Sequence, residues 1–242
     1  MKTMSRRKYF SLILPLFILL FSCSTESKKT VEFEYLTGKT SLRYLKLTWS
    51  DLSPKLVINR PERGDVTNQI CLPLTAPDSS EYQIKYFHCI DGDCCPTERY
   101  NNQLLGGLLI ENEELKLVFP KNLNDIKSIQ AECQESGSSF IQLRPILENG
   151  NVLASDGSLK FQCRALVTFK DGSVRMIETE KHNTSYGFAE DLKKFGVVNA
   201  VLIATGVHDE GWYYYANVPV SLGRLKSKSS EQENWLVLQL KN

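Results

Sequence analysis

The chain is short of histidine, with three, and it lacks every local signature that would announce a reaction. It has no G-x-S-x-G elbow, no H-E-x-x-H zinc helix, no phosphate loop, and beyond residue 22 no S-x-x-K. These absences exclude the nucleophile, zinc and nucleotide chemistries that can be read from a short motif. A triad gathered from distant residues would need His88, His182 or His208 as its base, and none has a telling neighbourhood. His208-Asp209-Glu210 reads instead as a polar turn before an aromatic strand. Charge of one sign is also missing. Against 28 acidic residues stand 29 basic ones, of which Lys2, Arg6, Arg7 and Lys8 precede Cys23, leaving 25 and a net charge of −3 from there on. That balance offers no electrostatic footprint for nucleic acid. Long hydrophobic runs are absent too. The uncharged stretch Tyr9 to Ser22 has fourteen residues, and a helix of that length, at about 1.5 Å per residue, falls short of the roughly 30 Å hydrocarbon core.

What is there instead is an export leader. A basic start is followed by the apolar run Ser11 to Phe21 and then by Leu20-Phe21-Ser22-Cys23. This ending resembles the lipobox of bacterial lipoproteins, in the relaxed form of spirochaetes, with Phe21 where a small or β-branched residue is usual. The resemblance covers residues 1–23 and implies cleavage before Cys23 and acylation of that cysteine, palmitate included. Ser24 after the cysteine resembles lipoproteins passed on to the outer membrane. An ordinary cleaved secretory signal is the plainer alternative. Ser5-Arg6-Arg7-Lys8-Tyr9-Phe10 is similar to a twin-arginine signal, but the strongly apolar run and the need for cysteine oxidation favour export of the unfolded chain. The expected organisation is a signal peptide over 1–22, a lipidated cysteine and flexible tether over 23–30, and a single β-rich domain over 31–242.

With Cys23 set aside, Cys71, Cys89, Cys94, Cys95, Cys133 and Cys163 remain. An even number in an exported chain predicts three disulfides. The neighbours Cys94 and Cys95 are too constrained to bond to each other. Each is expected to take a partner from Cys71 and Cys89, pinning Asp91 to Thr97, with Cys133 bonded to Cys163. Zinc would want a C-x-x-C pair, which is absent, and Asp91-Gly92-Asp93 is either a turn or a corner of a calcium site. No metal and no cofactor is expected.

Short apolar runs between turn signals, from Val31-Phe33-Tyr35 to Trp235–Leu240, predict a mostly β fold: a disulfide-stapled, β-sandwich-like domain with one short helix. The helix is expected where Phe188, Leu192 and Phe195 recur at i, i+4 and i+7 before Gly196. Asp171-Gly172 predicts a two-residue hairpin turn that sets Phe169 against Val174 and Val167 against Met176, and alternation then turns Cys163 into the core. Trp212, Tyr213, Tyr214 and Tyr215 place aromatics on both faces of one strand. They are either buried on both sides or an exposed stacking surface for sugar rings or a partner protein. Arg224, Lys226 and Lys228 make either an anion patch or a solvated edge.

The functional expectation is a lipid-anchored cell-envelope protein whose domain binds without catalysing, as an adhesin-like surface module with a host matrix or serum protein ligand by analogy. Its binding residues would be loops at one end of the sandwich or Trp212 to Tyr215. The alternatives are a periplasm-facing structural or cell-wall-glycan-binding lipoprotein, and an envelope hydrolase whose cleft gathers a histidine with a serine and a carboxylate.

Overall fold

The computed structural model describes residues 30–39, 41–74, 86–204, 211–223 and 234–241. The leader, Cys23, His208, Arg224, Lys226 and Lys228 lie outside the described residues. In chain order the elements are β1 (Val31–Thr37), β2 (Arg43–Trp49), β3 (Leu52–Val57), β4 (Asn68–Pro73), β5 (His88–Ile90), β6 (Asp93–Cys94), β7 (Gly106–Glu111), β8 (Glu114–Val118), α1 (Leu123–Ser136), β9 (Ser139–Glu148), β10 (Asn151–Val152), β11 (Arg164–Thr168), β12 (Val174–Thr179), α2 (Ser185–Lys194), β13 (Asn199–Leu202), β14 (Gly211–Tyr215), β15 (Val218–Leu222) and β16 (Trp235–Leu240).

The strands pair antiparallel in two sheets. The larger runs β1-β2-β12-β11-β13-β9-β5-β6, with the β7–β8 hairpin and β10 joined to β9; the smaller runs β15-β14-β4-β16-β3. Between them lies one core, built from Leu47, Leu166, Met176 and Val201 of the larger sheet and Ile70, Leu72, Leu236 and Leu238 of the smaller. This is the mostly β sandwich expected, and each fully buried Leu or Ile contributes about 1.5–3 kcal/mol to it. The smaller sheet is covered on both faces. Ile70 and Leu72 point inward, and Cys71 points outward with Trp212, Tyr214, Trp235 and Val237. All six residues of β4 are therefore buried.

There are two α-helices among the described residues, not one, besides a single 3-10 turn at Thr97–Arg99. α2 forms as the periodicity predicts: Thr184 caps it by accepting from the Gly187 amide at 3.0 Å, and Phe188, Ala189 and Leu192 pack on the far face of the larger sheet beside Tyr44 and Cys163. α1 escaped the sequence reading because its buried stripe is thin, Ile126 and Cys133 only. Its ends are nonetheless well specified. The Asn122 side chain accepts from the Asn124 and Asp125 amides, and Gly137 closes it at φ 71°. Also unforeseen is β7, in which Gly107 lets Phe140 approach; a Cβ there would lie 2.3 Å from the Phe140 ring.

The cysteine framework is corrected. One bridge forms among the described residues, Cys89–Cys94 across the β5–β6 pair, while Cys71, Cys95, Cys133 and Cys163 stay reduced. Cys163 faces the core with Val167 and Phe169, as alternation requires, but Cys71, Cys133 and Cys163 sit in three separate clusters. Cys133 therefore does not meet Cys163, nor does Cys71 meet the vicinal pair. A buried cysteine packs as a small hydrophobe. Burial pushes the Cys71 thiol up, and the Cys133 thiol to about 11.

The hairpin at Asp171 is corrected as well. Gly172 alone has positive φ, Phe169 pairs with Ser173, and the ladder sets Val167 against Arg175 and Leu166 against Met176. The turn is a three-residue loop, one residue longer than expected. Asp171 Oδ1 accepts from the Ser173 amide at 3.0 Å, an Asx turn that favours this shape.

Candidate functional site

The corrected register brings two opposite charges together. Core-facing positions on β11 and β12 alternate, so Leu166 and Met176 are followed, two residues towards the same end of the sheet, by Arg164 and Glu178, directly opposed across the ladder. The apolar column between the sheets thus ends in an ion pair. Arg164 is completely buried and Glu178 is 5% exposed. The guanidinium grips carboxylate oxygen Oε2 through Nε and Nη2. The other oxygen, Oε1, accepts from the Gln162 side-chain amide at 3.1 Å and from the Gly223 backbone at 3.0 Å. Four donors fill the roughly four acceptor positions of a carboxylate. Glu178 is consequently a fixed anchor, and its saturation offsets the desolvation that a buried pair incurs.

Glu178, with Gln162 beside it and Arg164 buried behind it, floors a cleft of about 360 Å³ between the two sheets. Tyr35 and Leu45 wall it from the larger sheet, Ser221 and Gly223 from the end of β15, and Glu180 and Lys181 stand at its mouth. Tyr35 is 51% exposed, with the Arg43 guanidinium 4.3 Å from its ring centre. Arg43 in turn pairs with Glu180 at 3.6 Å. Ser221 Oγ accepts from Arg63. Strand β14 begins against the buried arginine at Gly211, where a Cβ would lie 3.3 Å from Arg164 Nη1 and 2.8 Å from the Cys71 carbonyl oxygen. Only glycine admits that approach.

Two larger hollows lack such a floor. One, of about 500 Å³, opens beside Tyr86, Glu98, Arg99 and Tyr100. The other, of about 480 Å³, lies by Trp49, Glu113 and Asp171, where Glu113 pairs with Lys241 and Asp171 with Arg175.

A second buried polar cluster is sealed. Asp191 of α2, 3% exposed, accepts from the Tyr44 hydroxyl and from the Lys39 amide at 2.8 Å. Asn183 donates to the Tyr44 oxygen at 3.1 Å. Burial first, and then the carboxylate of Asp191, push the Tyr44 hydroxyl far above its ordinary range. Gly38 lies so close that a Cβ would be 2.3 Å from Asp191 Oδ2.

The residues singled out from sequence do not meet in the cleft. Trp212, Tyr213 and Tyr214 are 0%, 5% and 4% exposed, so the exposed stacking surface is corrected: Tyr213 faces the inter-sheet core, and Trp212 and Tyr214 the outer cluster. Tyr215 alone of the four is open, at 40%. The Cys89–Cys94 bridge, Cys95 and Cys133 lie together under α1. Asp91-Gly92 is a hairpin turn whose Asp91 side chain accepts from Ser139 Oγ at 3.2 Å. No group of three or more metal-ligating side chains exists among the described residues. His88 is half-buried against the Tyr86 carbonyl, and burial pulls its pKa down; His182 is exposed. Among the described residues the cleft therefore joins two carboxylates, Glu178 and Glu180, and a serine without a histidine.

No family model matches the chain, and no curated protein is similar to it in sequence. Solved structures do resemble it. The catalytic domain of zebrafish N-acetylglucosamine-1-phosphodiester alpha-N-acetylglucosaminidase, auto-inhibited by its pro-peptide, superposes with a TM-score of 0.59 at 12% identity, over 88% of this chain and 82% of that one. A hypothetical protein from Synechocystis superposes with a TM-score of 0.54 at 8% identity, over 88% of this chain and 62% of that one. The likeness is one of fold.

Proposed function

We propose that the chain is a lipid-anchored cell-envelope protein, exported and acylated at Cys23, whose β-sandwich binds a saccharide in the cleft above Gln162 and Glu178 without turning it over. The observation that carries this reading is the saturated carboxylate. Glu178 is aimed into a cleft yet spent on Arg164, Gln162 and Gly223, which suits a rigid polar floor and not a proton-transfer group. Polar groups at fixed positions and an exposed aromatic ring at the rim, Tyr35, are the features with which a protein holds a sugar: edges by hydrogen bonds, the ring face by stacking. Support for the ligand class comes from the fold, shared with a catalytic domain named for an N-acetylglucosamine phosphodiester.

That same likeness favours a second reading, hydrolysis of a sugar phosphodiester, which would need its acid or base from a residue other than Glu178. Calorimetric titration with N-acetylglucosamine, paired with an assay for sugar release from an N-acetylglucosamine-1-phosphodiester, separates the two. Saturable binding, weakened about five- to ten-fold by Tyr35→Ala on the scale of one aromatic contact, with no release of sugar, is the expected result. Sugar release by the purified wild type would establish the hydrolase instead.

A further inference from the structure

Beside the cleft the two sheets bring four rings together in one ridge; Phe33, Tyr35 and Tyr215 are partly exposed and Tyr213 is buried. Phe33 and Tyr35 are two apart on β1, the edge strand of the larger sheet, and so share a face. Tyr213 and Tyr215 come from β14 of the smaller sheet. The Phe33 ring centre lies 6.2 Å from that of Tyr35, 6.1 Å from Tyr213 and 5.3 Å from Tyr215. Phe33 is 40% exposed and Val218, opposite Tyr215 on β15, is 60% exposed. Contiguous apolar exposure of this kind on a folded domain marks a surface that meets something.

Two facts say what. First, β1 begins at Val31, eight peptide steps from Cys23, so at full extension the ridge starts at most about 28 Å along the chain from the acylated residue. A tether of that length leaves the exposed rings of an anchored domain within reach of the bilayer's interfacial region, where Tyr and Trp rings are favoured. Second, Tyr35 belongs both to the ridge and to the cleft wall, so one molecule can occupy both. Pairing of β1 with a second copy is opposed by Glu32 and Glu34, which would bring like charges together along the edge.

We infer that the saccharide taken by the cleft is the headgroup of a membrane glycolipid, its sugar above Gln162 and Glu178 and its apolar portion against Phe33, Tyr35, Tyr215 and Val218. This rests on the saccharide reading and extends it to the ligand's other half. The test compares the full-length protein's affinity for octyl N-acetylglucosaminide, below its micelle concentration, with that for free N-acetylglucosamine. The alkyl glycoside should bind at least about ten-fold tighter, as burial of even part of an octyl chain implies. The paired change Phe33→Ser and Tyr215→Ser should remove that gain and leave the free sugar's affinity unchanged. Equal affinities for the two ligands in the wild type would overturn the glycolipid inference while leaving the saccharide reading intact. Failure of both to bind would overturn both. A concentration-dependent dimer that the paired change abolishes would assign the ridge to a second copy and overturn the inference too.

Discussion

Asp191 and Glu178 are carboxylates of nearly equal burial, 3% and 5% exposed, each satisfied by neighbours from distant parts of the chain, and they do different things. Asp191 is locked between α2, Tyr44 and the turn at Lys39, with Gly38 close against it. Nothing can reach it, and its bonds tie the helix to the sheet. Glu178 has as full a set of partners, but they stand at the end of the inter-sheet core, where β12 and β15 leave a cleft. Burial of a charged group therefore does not mark a site by itself. Access to its surroundings does, and here access comes from where the two sheets stop packing.

The largest effect is expected at the open pair. Arg164→Met leaves Glu178 buried without its cation and should lower stability by about 3–5 kcal/mol, whereas joining it with Glu178→Leu should restore most of the loss, since an apolar pair of similar volume is tolerated where half an ion pair is not. Urea unfolding of the single and double variants reads both values. At the sealed cluster, Tyr44→Phe removes the hydroxyl that donates to Asp191 and should cost about 1–3 kcal/mol by the same measurement, with no effect on ligand affinity.

The same hydroxyl predicts a dependence on pH. Its folded-state pKa is raised above the ordinary value of 10.0, by burial first and by Asp191 second. The protonated form is favoured in the folded state, so this contribution is complete below about pH 10 and is lost as the pH climbs above it. Tyr44→Phe should flatten that alkaline decline, which unfolding curves across the range will show. The smallest effect concerns the thiols. Cys71, Cys133 and Cys163 are fully buried and Cys95 half-buried, so a maleimide added to the native protein should label Cys95 alone, and all four only after unfolding.

Much of the fold was legible, and the reasons for the exceptions are specific. Strand alternation, the α2 stripe and the core-facing Cys163 follow from periodicity. Turn chemistry is harder. Two central residues of positive φ occur at Asp91-Gly92, Asn112-Glu113, Asn149-Gly150 and Ala216-Asn217, yet a glycine announces this only at the first and third. The Asp-Gly at 171–172, which reads the same way as that at 91–92, closes a longer loop because the Asp171 side chain accepts from Ser173. That single extra residue hid the site. In the expected register Arg164 falls opposite Thr179, and in the observed one opposite Glu178. Opposite charges at core-facing positions of adjacent strands were the available signal, readable only once the turn is known. The cysteine framework misled for a different reason: parity counts sulfurs without knowing which are packed as hydrophobes.

The most direct test of the cleft as the binding site is an amide-resolved NMR titration of the protein with N-acetylglucosamine. The Gly223 amide, which donates to Glu178, should shift in a saturable way together with the residues around Tyr35, while the Lys39 amide, which donates to Asp191, stays where it is. Saturable shifts confined to other parts of the molecule, or none at any concentration of the sugar, would contradict the account.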